Sequence, residues 1–144
     1  VVQELTEQYK QDIIDIIEND FFEDGVVSQT ENYILEAYEE RYASVIKNAM
    51  MELYVKYYDN PHVLTGLLIM IGSLTYRQAS PQGPVMATGL LSHTNNAIKD
   101  RAIRTFERWN SKEGLIVLRN VECSAPWMQK YVEKVIRYLE RDGN

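Results

Sequence analysis

One stretch, HVLTGLLIMIGSL at residues 62–74, does most to limit what this chain can become. It is apolar on nearly every side of a helix, and a helix that is hydrophobic all round belongs at the centre of a fold. It does not read as a membrane span, because His62, Thr65, Gly66 and Gly72 interrupt it and crossing a bilayer takes roughly 20 apolar residues. The flanking sequence must therefore supply amphipathic elements that cover it.

Such elements recur along the chain. Leu5, Tyr9, Ile13, Ile16 and Ile17 mark one face of a helix over 2–18. Apolar residues from Tyr33 to Tyr57 repeat at helical spacing and read as one long helix or two with a bend. Asn60-Pro61 ends that segment, with Asn60 as cap and Pro61 in the first position of the next helix. SPQGP (80–84) is the strongest break, followed by helices near 84–92, 96–109, 112–121 and 126–141, the last with Ser124 as its cap. No sustained period-2 alternation appears, so the expectation is an all-α single domain over 1–144, with short connections between antiparallel neighbours.

DFFEDGVVSQTE (20–31) has nearly the spacing of a calcium-binding helix–loop–helix, but its third position, where another oxygen ligand belongs, is Phe22. The same residues make a bend: Gly25 takes a left-handed turn, Ser28 and Glu31 form a capping box, and Val27 completes a hydrophobic staple. The bend is the reading adopted, with no metal site.

Charge is unevenly spread. Residues 1–60 hold 14 acids and 4 bases, whereas 61–144 hold 7 acids and 11 bases, within an overall charge of −6. One acidic end results, a feature that argues against nucleic acid there and suits a basic protein partner. The single cysteine, Cys123, excludes an internal disulfide and fits a reducing, cytoplasmic setting. The opening VVQELTEQYK lacks the basic start and apolar middle of a signal peptide, although the chain does not begin with Met.

Three segments align as a repeat, beginning at Asn60, Asn95 and Ser124. Their apolar positions are Val63, Leu67, Ile71 and Leu74; Ile98, Ala102, Phe106 and Trp109; and Trp127, Tyr131, Val135 and Tyr138. Each follows a shorter apolar helix, so the unit is a helix pair. The middle unit, LLSHTNNAIKDRAIRTFERW, resembles a HEAT-type repeat, with Ile98-Lys99 where that family has Val-Arg and with Ala102 and Phe106 at the packing positions. The resemblance covers about residues 60–144. It implies antiparallel helix pairs (59–144) stacked as a short right-handed α-solenoid, with residues 1–58 as an N-terminal helical cap. It also implies a binding scaffold, since such arrays mostly present a concave surface to a partner.

Catalytic sets are missing from the sequence. His62 and His93 have no ligand partner at metal spacing, the His-Glu dipeptides of HEAT-like metalloenzymes are absent, and no nucleophile elbow or phosphate-cradling glycine loop occurs. Cys123 precedes a helix, where the dipole lowers a thiol pKa, but a structural thiol is the simpler reading. Lys99, Arg101, Arg104, Arg108 and Lys112 fall on more than one helix face and read as solvated. The expectation is a non-enzymatic, cofactor-free binding module that masks a basic protein such as a nuclease toxin, similar in character to small bacterial immunity proteins. Contact would centre on Phe21, Phe22, Glu23, Asp24, Glu36, Tyr38, Glu39, Glu40 and Tyr42, since aromatic rings with polar or acidic neighbours suit an interface. The alternatives are a nucleic-acid-binding repeat protein that uses the bases of 99–112, and a divergent metal-dependent helical enzyme.

Overall fold

The central segment becomes helix α4 (Pro61–Ser73), capped by Asn60, whose side-chain oxygen accepts from the Val63 N–H at 3.1 Å. The computed structural model describes residues 1–144 as nine α-helices with two 3₁₀ turns and no strand. Around α4 lie α1 (Val2–Glu18), α2 (Gln29–Ala37), α3 (Ala43–Lys56), α5 (Tyr76–Ala79), α6 (Gln82–Leu90), α7 (Asn96–Trp109), α8 (Leu115–Leu118) and α9 (Pro126–Asp142). No helix is long and apolar enough to cross a membrane.

Packing follows a regular order. Helix α1 meets α2, α3 meets α4, α6 meets α7 and α8 meets α9; in addition α4 touches α2 and α7, α7 touches α9, and α3 touches α1 and α6. One continuous core of 29 buried apolar side chains runs through these contacts. It contains Leu67, Leu68, Ile71 and Leu74 with Ala102, Phe106 and Val135, as the periodicity requires. The α4–α7 seam is also pinned by a polar bond: the Trp109 indole N–H donates to the Ile71 carbonyl at 2.8 Å, among the orphan carbonyls at the end of α4. Where α1 crosses α4, Gly66 allows the approach, since a Cβ there would lie 2.6 Å from an Ile17 side-chain carbon.

Several expectations need correction. Of the two readings of 29–57 the structure takes the second, two helices separated by extended residues at Tyr38 and Glu39 and a 3₁₀ turn at Glu40–Tyr42, whereas the following boundaries differ from those expected. Helix α6 starts inside the SPQGP break, and 112–121 yields only a 3₁₀ turn and the four-residue α8. On α9 the core register is Met128, Val132, Val135 and Leu139, while Trp127 is 56% exposed. The third unit is thus displaced by one residue at Trp127, Tyr131 and Tyr138, and only Val135 keeps its expected place. Ala125, not Ser124, precedes that helix, with no side-chain cap.

Candidate protein-docking site

Loop 20–28, between α1 and α2, carries an unusual display of apolar surface. Phe21 is 87% exposed, and Val26 and Val27 are exposed at 62% and 64%. Its frame, by contrast, is tightly held. Asp20 accepts N–H bonds from Thr30 at 2.8 Å and Phe22 at 3.4 Å, so it ties the loop to the first turn of α2. Burial opposes ionisation of this carboxyl, but those backbone donors outweigh it and hold Asp20 below the usual carboxylate range.

Phe22 sits at φ +51°, a left-handed conformation that costs a non-glycine residue about 1–2 kcal/mol. Its ring turns inward and packs 4.7 Å from the His62 ring, whose Nε2 bonds the Ile17 carbonyl at the end of α1 (2.7 Å). With Phe22 turned in, its neighbour Phe21 is held out. Gly25 (φ +78°) completes the reversal in open space, and exposed Glu23 and Asp24 flank the apolar tip.

The capping box is only half formed. Ser28 Oγ accepts from the Glu31 N–H at 3.0 Å, but the Glu31 carboxylate turns away to Arg108 of α7 and to the Ser73 hydroxyl (3.3 Å) of α4. Val27, left exposed, makes no staple. Two carboxylates that a calcium loop would recruit, Asp20 and Glu31, are thus engaged with protein groups, and no cluster of three or more His, Cys, Asp or Glu side chains is arranged to hold a metal.

The other expected contact residues lie at the far end of α2, a nine-residue helix about 14 Å long. Glu36 is exposed on it. Beyond it, Glu40 pairs with Arg77 (3.4 Å), Glu39 lies 4.0 Å from Arg41, and the Arg41 guanidinium stacks 4.7 Å over Tyr42. Tyr38 is half-buried against the core, as are Tyr33, Tyr54 and Tyr57. Phe21, Phe22, Glu23 and Asp24 therefore form one group, the last three sharing a groove with Arg101 and Arg108, and Glu36, Tyr38, Glu39, Glu40 and Tyr42 a second, with Glu39 and Glu40 beside Arg41 and Arg77.

Elsewhere the candidate catalytic and metal-binding groups are committed. The largest cleft, about 570 Å³ between the C-terminal ends of α4 and α7, contains Arg77 and Arg108, which already pair with Glu40 and Glu31. His93 bonds the Tyr58 carbonyl through Nε2 (3.2 Å) and accepts the Asn95 N–H at Nδ1 (3.0 Å). Burial pushes the Cys123 thiol up, against a lesser pull from Lys99, which is the reverse of an activated cysteine. Arg101, Arg104 and Arg108 share one stripe of α7 and line one shallow groove beside α4, so three of the five bases read as scattered over several faces are together. Their i, i+3, i+7 spacing was the signal for it. No family model matches this chain, and no characterised protein or solved structure matches it either.

Proposed function

We propose that this chain is a non-catalytic binding protein that docks a basic protein partner on loop 20–28, with Phe21 as the anchor and Glu23 and Asp24 as its charged rim. The observation that carries this is the outward Phe21 beside the strained, inward Phe22. Leaving a ring of that size in water forgoes roughly 1.5–3 kcal/mol of burial, and the strained Phe22 backbone, which seats its own ring on His62, holds Phe21 outward. Strain held in place by surrounding structure is a reason to look for function. An aromatic anchor within a polar rim is the usual anatomy of an interface hot spot.

The acidic half supports the choice of a basic partner, because complementary charge raises association rates and screens out wrong partners. A nuclease toxin fits, since its surface is basic in order to hold polyanions. The unpaired Cys123 suits a cytoplasmic setting. For the architecture we read a HEAT-like stack of three helix pairs, α3/α4, α6/α7 and α8/α9, capped by α1/α2, which moves α3 out of the expected 1–58 cap and into the first pair. Its support is the order of helix contacts, each pair packing internally and each second helix on the next.

The test uses wild-type protein and a Phe21→Ala/Glu23→Lys/Asp24→Lys variant as paired baits, followed by kinetics on the retained protein. A basic partner held by the wild type and at least tenfold weaker on the variant is the expected result. Equal retention would place the interface elsewhere. Reversing Glu36, Glu39 and Glu40 in parallel reads the contribution of the far end of α2.

A further inference from the structure

Helix α9 has two very different sides. Met128, Val132, Val135 and Leu139 face the core, while Lys130, Lys134, Arg137 and Arg141 follow one another at i, i+4, i+7 and i+11 on the outward side, all exposed. Trp127, one turn earlier on the same stripe, is 56% exposed. Of the three acids of this helix, Glu133 and Glu140 lie roughly a quarter-turn round the axis at one edge of the stripe, Glu140 pairs with Arg119 of the segment after α8 at 2.7 Å, and Asp142 ends the helix. Arg141 alone of the four bases has a carboxylate within 4.0 Å, its chain neighbour Asp142. Arg104 of α7 lies 5.6 Å over the ring of Tyr131 but is paired with Asp100 at 2.8 Å, so it does not extend the unpaired positive stripe of α9.

A terminal helix of a stack needs a polar outer face, which explains the charged residues of this stripe but neither their single sign nor the exposed Trp127. Like charges at i, i+4, as in Lys130/Lys134 and Arg137/Arg141, destabilise a helix. Alternating Lys with Glu would solvate the face as well and add ion pairs. The helix dipole favours Arg141 in the last turn, but it gives no reason for Lys130 and Lys134 in the first half of α9.

We propose that the outward face of α9 binds the phosphate backbone of a single-stranded nucleic acid, with one base stacked on Trp127. The cations form a row about 17 Å long, from Lys130 to Arg141 at 1.5 Å per residue. The intervals within it are comparable with those between successive phosphates of an extended strand. An exposed indole at one end offers the π-face that every base can use. A membrane surface fits less well, because the apolar side of α9 is buried in the core and leaves nothing to insert between lipids. The overall charge of −6 does not forbid the contact: the acids concentrate in residues 1–60, and fields between exposed charges are screened beyond about 8 Å at 0.15 M salt.

Fluorescence anisotropy of the full chain with a labelled oligothymidylate of ~20 nucleotides, titrated at several salt concentrations, tests this. Four phosphate contacts give a slope of about −2 to −3 for log affinity against log salt. Lys130→Glu/Lys134→Glu/Arg137→Glu should weaken binding more than tenfold with the helical circular dichroism retained at the assay temperature, since all three side chains are exposed. Trp127→Ala should weaken it about fivefold or more at an unchanged slope. Phe21→Ala should leave it unaltered, so this result stands apart from the fate of the loop. The proposal is overturned by absence of binding at about 50 mM salt, or by binding that survives the charge reversal. It is equally overturned if anionic phosphatidylserine vesicles bind through these cations and the oligonucleotide does not, or if an acidic protein does so.

Discussion

Replacing Trp109 with Phe isolates the bond that joins α4 to α7. Trp109 is 7% exposed, donates to the Ile71 carbonyl at 2.8 Å, and meets Tyr76 and Phe106 edge-on at 5.3 and 5.4 Å. A Phe in its place keeps most of the ring contacts but leaves the carbonyl without its donor, a loss of about 1–3 kcal/mol for a buried polar group. The missing part of the indole adds roughly 1–2 kcal/mol in lost burial and residual cavity. The expected destabilisation is therefore about 2–5 kcal/mol, or a drop in thermal midpoint of roughly 6–15 °C for a chain of this size. Circular dichroism during heating and a urea titration with unchanged m measure it, and Trp127→Phe serves as the exposed control, within about 0.5 kcal/mol of wild type. If Trp109→Phe also stays within about 0.5 kcal/mol, the indole N–H does not hold the two central helices together.

Gly66→Ala should cost about 1–3 kcal/mol by overpacking Ile17; a neutral result in urea would mean that α1 and α4 shift apart freely. Asp20 has a depressed folded pKa, so its stabilising contribution is present above the unfolded carboxyl value of about 3.9 and is lost as pH falls through the folded one. Asp20→Asn should accordingly be less stable at neutral pH and show a shallower loss of stability in acid, whereas parallel curves would contradict the role of the Thr30 and Phe22 N–H groups. Millimolar calcium should leave the thermal midpoint unmoved. A site with a dissociation constant near 10 μM would add about 2.7 kcal/mol at 1 mM, so a shift abolished by Glu31→Gln would restore the calcium reading of the loop.

Local signals were strong where cap and periodicity agree. Helix α7 runs from Asn96 to Trp109 as its spacing indicates, with Asn95 accepting from the Ala97 and Ile98 N–H groups. Asn60 and Pro61 marked the start of α4 equally well. The break at Tyr38–Glu39 carried no Gly or Pro to announce it and is imposed by packing. On α9, Trp127 invited a register that buries it, but a shift of one residue rotates a helix by 100°, and the basic stripe opposite Met128 was the better guide. Glu31 showed the limit of local reasoning most clearly. Its spacing from Ser28 writes a capping box, yet Arg108, 77 residues away, takes the carboxylate. Which of Phe21 and Phe22 points outward was likewise invisible in the sequence, because it depends on the backbone angle of Phe22 and on the His62 ring beneath it.

The association rate of a basic partner as a function of ionic strength, compared between wild type and Glu23→Lys/Asp24→Lys with Phe21 intact, tests the docking loop most directly. Charge reversal should slow association by tenfold or more at low salt, with the two curves converging as the Debye length falls toward 8 Å at 0.15 M. Overlapping curves across the whole salt range would mean that the partner does not meet this loop.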